Sequence, residues 1–264
     1  MHFNSNYNVT VNGPKIQDHF STLLATYHHI PIIFIIYFLT VKVIGPSLMS
    51  ERKPFDLKIV LRIYNLTQVL INSYLLYLII FNWGYGILKS WNHVCNPITE
   101  TVGFDHQIQL IVLKVMYYYY LNKILDLMDT VFFVLRKKQS HITFLHLFHH
   151  TTMILSTWIT VVYFREQVGA IFGFLNITVH IFMYSYYLLS SFGPWMQRYL
   201  WWKKHLTRMQ MLQFILMLAI LAKMKMVNCT VSPGFWTLWC FNITSFFILF
   251  LQFYIKSYRK KKVE

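Results

Sequence analysis

Apolar residues recur along the chain in blocks of twenty or more, separated by short polar segments where lysine and arginine gather. A helix needs about 20 residues, at roughly 1.5 Å rise each, to cross a hydrocarbon core about 30 Å thick. Blocks of that length occur at 28–48, 59–82, 108–135, 143–164, 168–190, 207–226 and 235–256. None shows the period-2 alternation of barrel strands, and unpaired backbone is too costly in lipid, so each is expected to be a helix. The predicted fold is all-α and polytopic, with about seven transmembrane helices. A polar segment 1–27 precedes a membrane domain 28–256, and a basic tail 257–264 follows it.

Composition excludes a soluble domain. Charged residues make up 12% of the chain, against roughly 25% in soluble proteins, and mean hydropathy is +0.44. The first 26 residues lack an apolar core and a small-residue cleavage site, so no cleaved signal peptide is expected. The net charge of +15 would suit nucleic acid, but the charges cluster between apolar blocks. That placement fits membrane topology and an anionic ligand instead.

The charges also orient the bundle. Arg52, Lys53 and Lys58 follow the first block; Arg136, Lys137 and Lys138 the third; Arg198, Lys203 and Lys204 the fifth; Lys256 and Arg259 to Lys262 the seventh. The alternate loops hold only Lys89, Arg165, Lys223 and Lys225. The positive-inside rule then predicts a lumenal N-terminus and a cytosolic C-terminus. The sequon at Asn8 would be open to glycosylation, whereas those at Asn65, Asn176 and Asn242 fall within helices. Cys95 and Cys229 both fall in non-cytosolic loops, where an oxidising lumen lets them pair, and Cys240 is expected in packing. Lys261 and Lys262 sit three and four residues from the C-terminus, the spacing of an endoplasmic reticulum retrieval signal.

Ionisable groups inside membrane helices are functional candidates. His146, His149 and His150 are spaced i, i+3, i+4 and share one helical face. Asn176, His180, Tyr184 and Tyr187 form a polar stripe on the fifth block. Thr207, Gln210 and Gln213 form another on the sixth. The third carries Lys123, Asp126, Asp129 and Thr130 after the tyrosine run 117–120, and Lys123 and Asp126 can neutralise each other at i, i+3. Polar faces on neighbouring helices predict a shared interior cavity. Three readings of the histidines stand at this point. A di-iron oxygenase uses HxxHH boxes, but with about eight histidines in three boxes; here His2, His19, His93 and His106 fall at or near the far side, leaving one box and His180. No metal is therefore expected. A receptor or transporter lacks its motifs and helix-breaking Gly/Pro pairs. Imidazole can also act as a nucleophile and proton carrier toward an acyl group.

The motifs in order resemble the very-long-chain fatty acid elongases, the ELOVL family of 3-oxoacyl-CoA synthases. Lys-x-x-Glu-x-x-Asp-Thr appears as Lys123 to Thr130, with Asp126 in place of the glutamate. His-x-x-His-His is 146–150. Asn-x-x-x-His-x-x-Met-Tyr-x-Tyr-Tyr is Asn176, His180, Met183, Tyr184, Tyr186 and Tyr187. Thr-x-x-Gln-x-x-Gln is Thr207, Gln210 and Gln213. The resemblance runs from about residue 30 to 255. It implies condensation of acyl-CoA with malonyl-CoA to 3-oxoacyl-CoA, CoA and carbon dioxide, without a cofactor, in the endoplasmic reticulum membrane, in company with other enzymes of the elongation cycle. It leaves homo-oligomerisation open. It implies an acyl-enzyme on His149 with His180 near the malonyl group. Donors toward the enolate would come from His146, His150, Asn176 and Gln210. Arg136, Lys138 and Lys203 would hold the CoA phosphates, with Lys123, His141, Tyr186 and Thr207 deeper and Asp126 and Asp129 beside them. The acyl chain would run in a tunnel toward the lumen.

Overall fold

Side chains without hydrogen-bonding capacity cover helix after helix on the outside of this protein. Ile59, Ile63, Leu70 and Phe81 are all more than 60% exposed or at that value, an inside-out surface suited to lipid and not to water. The computed structural model describes residues 29–89, 106–164 and 166–258. Asn8, Cys95, Lys261 and Lys262 lie outside the described residues.

Every extended element among the described residues is helical. They are α1 (His29–Met49), α2 (Lys58–Lys89), α3 (His106–Leu125), α4 (Met128–Leu135), α5 (Phe144–Ile159), α6 (Gln167–Ser190), the short α7 (Pro194–Gln197), α8 (Lys203–Met226) and α9 (Pro233–Tyr258). Five of them, α1, α2, α6, α8 and α9, are long and apolar enough to cross a membrane. The chain is thus an all-α polytopic membrane protein.

The third and fourth expected spans are not among those five. The third divides between α3 and α4 without a proline or glycine. Around Asp126 and Leu127 the amides of Leu127, Asp129 and Thr130 bond to carbonyls three residues back. This tight turn keeps the backbone bonded, which is what a buried or membrane position demands. The fourth is a 16-residue α5 extended by a π-helical turn, Thr160–Phe164. Thr143 caps α5, its Oγ1 accepting the His146 amide at 3.2 Å. Five hydroxyls of α5 and its extension, from Thr151, Thr152, Ser156, Thr157 and Thr160, donate to carbonyls one turn back. The polar content that makes this helix marginal as a span is satisfied inside the helix itself.

Helices α3, α5, α9, α8 and α6 touch in that order and close on each other as a ring. Outside the ring, α2 packs along α6 and α3, and α1 packs against α4. The main core fills the ring with Met116, Met153, Phe172, Phe214, Trp239 and Phe246 among others. Interhelical hydrogen bonds tie α9 to α5: Asn242 Nδ2 donates to Ser156 Oγ at 2.5 Å, and Trp239 Nε1 to Thr160 Oγ1 at 3.0 Å. Asn65, Asn176 and Asn242 are buried in helices. Cys229 is disulfide-bonded, and Cys240 is free.

Candidate active site

A narrow, tightly packed cleft runs inside the helix ring. Each ring helix contributes to its wall: Tyr119 from α3, His149 and Met153 from α5, Phe172 and Asn176 from α6, Phe214 and Met217 from α8, Trp239, Ile243 and Phe246 from α9. One imidazole, one amide and one phenol face an otherwise apolar slot. Tyr119 donates to Asn176 Oδ1 at 2.7 Å, so the amide NH2 is the polar group left to face the cleft.

The histidine box occupies the first two turns of α5. The His146 and His150 ring centroids are 4.4 Å apart, and those of His149 and His150 5.4 Å apart at right angles. His149 leans on Phe246 at 4.9 Å. His146 Nε2 lies 2.7 Å from Thr130 Oγ1, and that hydroxyl lies 2.8 Å from Tyr37 OH, so α4 and α1 fix this ring. His149 lies within electrostatic reach of both His180 and Lys123.

Beside the cleft a closed polar network joins α2, α3, α4 and α6. Lys123 Nζ donates to Asp126 Oδ2 at 2.9 Å, and both side chains are 2% exposed. Tyr184 OH sits 3.0 Å from Asp126 Oδ1 and 2.9 Å from Asp129 Oδ2, so its one proton serves two carboxylates. Gln68 Nε2 donates to Asp126 Oδ1 at 2.9 Å. Lys123 Nζ also lies 3.3 Å from His180 Nδ1, whereas Asp126 Oδ2 is 3.8 Å from that nitrogen, too far to bond. An ammonium only donates. His180 Nδ1 must therefore accept, and in the neutral ring the proton sits on Nε2. The network thus selects the tautomer that presents an N–H donor on the far side of the ring.

The basic end of the bundle holds a third group. Arg136 is half-buried; Lys138, His141 and Lys203 are exposed. The His141 ring stacks on Phe133 at 5.2 Å. Partial desolvation of the ring, which is stacked on Phe133 though the residue is largely exposed, together with the charges of Lys138, Lys203 and Arg136, holds its imidazole below the ordinary value. The charges of the segment after α4 and of the start of α8 thus reach one point, His141, which is exposed and not deeper than Arg136, Lys138 and Lys203 as expected. Deeper, Tyr186 and Thr207 are buried, with Tyr186 edge-on to Trp202 at 5.1 Å. Gln210 Nε2 contacts Met183 Sδ at 3.6 Å.

The predicted residues therefore fall into a cleft group, a charged network and a basic patch. Sequence reasoning missed Gln68, Tyr64 and Tyr37. Gln68 stands on α2 between Asn65 and Asn72, and no motif or charge pattern singled it out. Among the described residues, no three His, Cys, Asp or Glu side chains converge as a metal-ligand set.

Residues 22–264 match the ELO family, described as the GNS1/SUR4 family. The chain is 39% identical over 227 residues to very long chain fatty acid elongase 7 of Drosophila melanogaster, covering 85% of this chain and 67% of that protein. It is 37% identical to a very long chain fatty acid elongase of Aedes aegypti, covering 86% of this chain and 62% of that protein. With elongase 1 of Mus musculus it shares 34% identity over 252 residues, 94% of this chain and 87% of that protein.

Proposed function

This chain belongs to the ELO (GNS1/SUR4) family, and we propose that it condenses a long-chain acyl-CoA with malonyl-CoA to give 3-oxoacyl-CoA, CoA and carbon dioxide. One observation carries this reading: His149 stands on the wall of an apolar slot enclosed by the helix ring, where an acyl group on it would meet hydrocarbon side chains. The names of the relatives support fatty acid elongation.

In the proposed first step, an imidazole nitrogen of His149 attacks the thioester carbonyl. The C–S bond breaks, and CoA leaves as the thiol with the proton the imidazole gives up. In the second step malonyl-CoA loses carbon dioxide, and the electron pair of the broken C–C bond becomes an enolate. Its carbon attacks the acyl-imidazole carbonyl, the C–N bond breaks, and the departing imidazole nitrogen takes up one proton from solvent, which regenerates neutral His149. As written, the reaction balances without metal or redox cofactor.

Two charges develop, on the thioester oxygen and on the enolate, and preoriented donors lower both barriers. The Nε2–H of His180, the Asn176 amide and the neighbouring rings of His146 and His150 are the groups we assign to them, with Gln210 at the edge. Arg136, Lys138, His141 and Lys203 supply charge for the CoA phosphates, and Tyr186 and Thr207 line the way inward. This places CoA at the cytosolic, basic end and the acyl chain toward the lumen. The alternation of basic loops supports an N-terminus in the lumen, and we assign the protein to the endoplasmic reticulum membrane.

Membranes carrying the protein, given acyl-CoA and malonyl-CoA labelled at C2, should form a labelled acyl chain two carbons longer. Label confined to malonyl-CoA and its decarboxylation product would overturn the reading.

A further inference from the structure

We propose that Gln68 is a positioning residue of the condensing site: its amide fixes the Asp126 carboxylate so that Lys123 meets His180 Nδ1. The inference rests on the condensing reading above.

Gln68 belongs to none of the four motifs. It lies in the middle of α2, outside the helix ring, and is fully buried. A buried primary amide is costly unless its donors and acceptor are used. Here both ends are used. Nε2 donates to Asp126 Oδ1 at 2.9 Å and to Tyr64 OH at 3.3 Å, and Oε1 accepts from Asn72 Nδ2 at 3.2 Å. The Tyr64 hydroxyl spends its own proton on the Leu125 carbonyl at 3.4 Å, so it is an acceptor toward Gln68. The amide orientation is thus set from both sides: reversing it would turn an oxygen toward a carboxylate.

Asp126 is held by three donors from three helices. Gln68 of α2 and Tyr184 of α6 share Oδ1, and Lys123 of α3 takes Oδ2. The Tyr184 proton is divided with Asp129, so Gln68 is the undivided donor to Oδ1. Without it the carboxylate is free to turn on its Cβ–Cγ bond. The Lys123 ammonium would follow the carboxylate, its stronger partner. The contact given up is the longer one, 3.3 Å to His180 Nδ1, and with it the tautomer that presents Nε2–H.

Side-chain length gives the same answer from another direction. The short Asp126 carboxylate is met by a long amide that arrives from the facing helix. Shortening one partner and lengthening the other should therefore be interchangeable within limits.

The test compares the parent with Gln68→Leu, with Gln68→Asn, whose shorter amide falls one methylene short, and with the double variant Gln68→Asn/Asp126→Glu, whose longer carboxylate reaches back to that amide, all in the same chain purified in detergent. Condensing turnover and KM for acyl-CoA are measured at fixed malonyl-CoA. Gln68→Leu and Gln68→Asn should each lower kcat about tenfold or more. Their KM for acyl-CoA should stay at the parent value, because Gln68 faces neither cleft nor basic patch. The double variant should recover most of the lost kcat. A merely structural role would not be rescued by a longer carboxylate, and would show as lost folded protein instead of a kcat change. Should Gln68→Leu fail to fold, Gln68→Met takes its place with the same expected pattern. An unchanged kcat, a raised KM alone, or a double variant no better than Gln68→Asn would each overturn the inference while leaving an active parent, and hence the condensing reading, intact. A parent without condensing activity would remove both.

Discussion

Replacing Lys123 by methionine separates the stability of the buried network from its chemistry. The lysine is one member of an ion pair buried on both sides, 2.9 Å long, with its ammonium also 4.8 Å from the centre of the Tyr119 ring. Removing one partner of such a pair costs about 3–5 kcal/mol, because a charge is left buried without its counter-charge. Gln68 and Tyr184 still bond Asp126, which places the expected loss near the lower end of that range, about 3 kcal/mol. Changing Asp126 to asparagine in the same chain removes the orphaned charge. The double variant Lys123→Met/Asp126→Asn should therefore regain most of the lost stability, read as the apparent unfolding temperature in detergent. It should not regain activity. No cation remains to hold His180 Nδ1, and turnover should stay about 100-fold or more below the parent. A single variant that unfolds like the parent would refute the ion-pair argument. A double variant with parental turnover would refute the claim that Lys123 sets His180.

Two further outcomes follow from the cleft and the basic patch. His141 is held below its ordinary pKa and is neutral near pH 7, but a bound anion favours its protonated form. Affinity for acyl-CoA should thus strengthen as pH falls from about 7.5 to about 6, and His141→Asn should abolish that slope; equal slopes in parent and variant, from binding measured across that range, would contradict it. Trp239 lies seven residues along α9 from Phe246, which touches His149, or roughly 10 Å further into the cleft. Trp239→Ala should extend the cleft and shift products from a mixed acyl-CoA panel toward longer chains, and an unchanged chain-length profile would show that the chain does not run this way.

Which of these features could be read beforehand depended on the physical signal each left. Long apolar blocks marked α1, α2, α6, α8 and α9, because a lipid-facing helix must be apolar over its whole length. The turn between α3 and α4 left no such mark. No proline or glycine announces it, and it forms where Asp126, Asp129 and Thr130 reach three different helices at once. The histidine face of α5 was legible from its i, i+3, i+4 spacing, as was the Asn176, His180 and Tyr184 stripe. The pairing of Lys123 with Asp126 was legible as a local i, i+3 event, but its further bond to His180 was not, since that joins residues 57 apart. Gln68 and Tyr37 stayed hidden for the same reason: a side chain on a packing helix gains its role only from what faces it. The basic character of Arg136, Lys138 and Lys203 was legible from charge placement, whereas the exposed position of His141 among their charges was not, because it joins the segment after α4 to the start of α8.

Intact-mass analysis of the purified protein after incubation with an acyl-CoA, without malonyl-CoA, tests the acyl-enzyme most directly. The account predicts a mass increase of one acyl group, mapped by peptide fragmentation to His149, absent from His149→Ala and discharged when malonyl-CoA is added. An adduct mapped to another residue, or one that persists in His149→Ala, would contradict it.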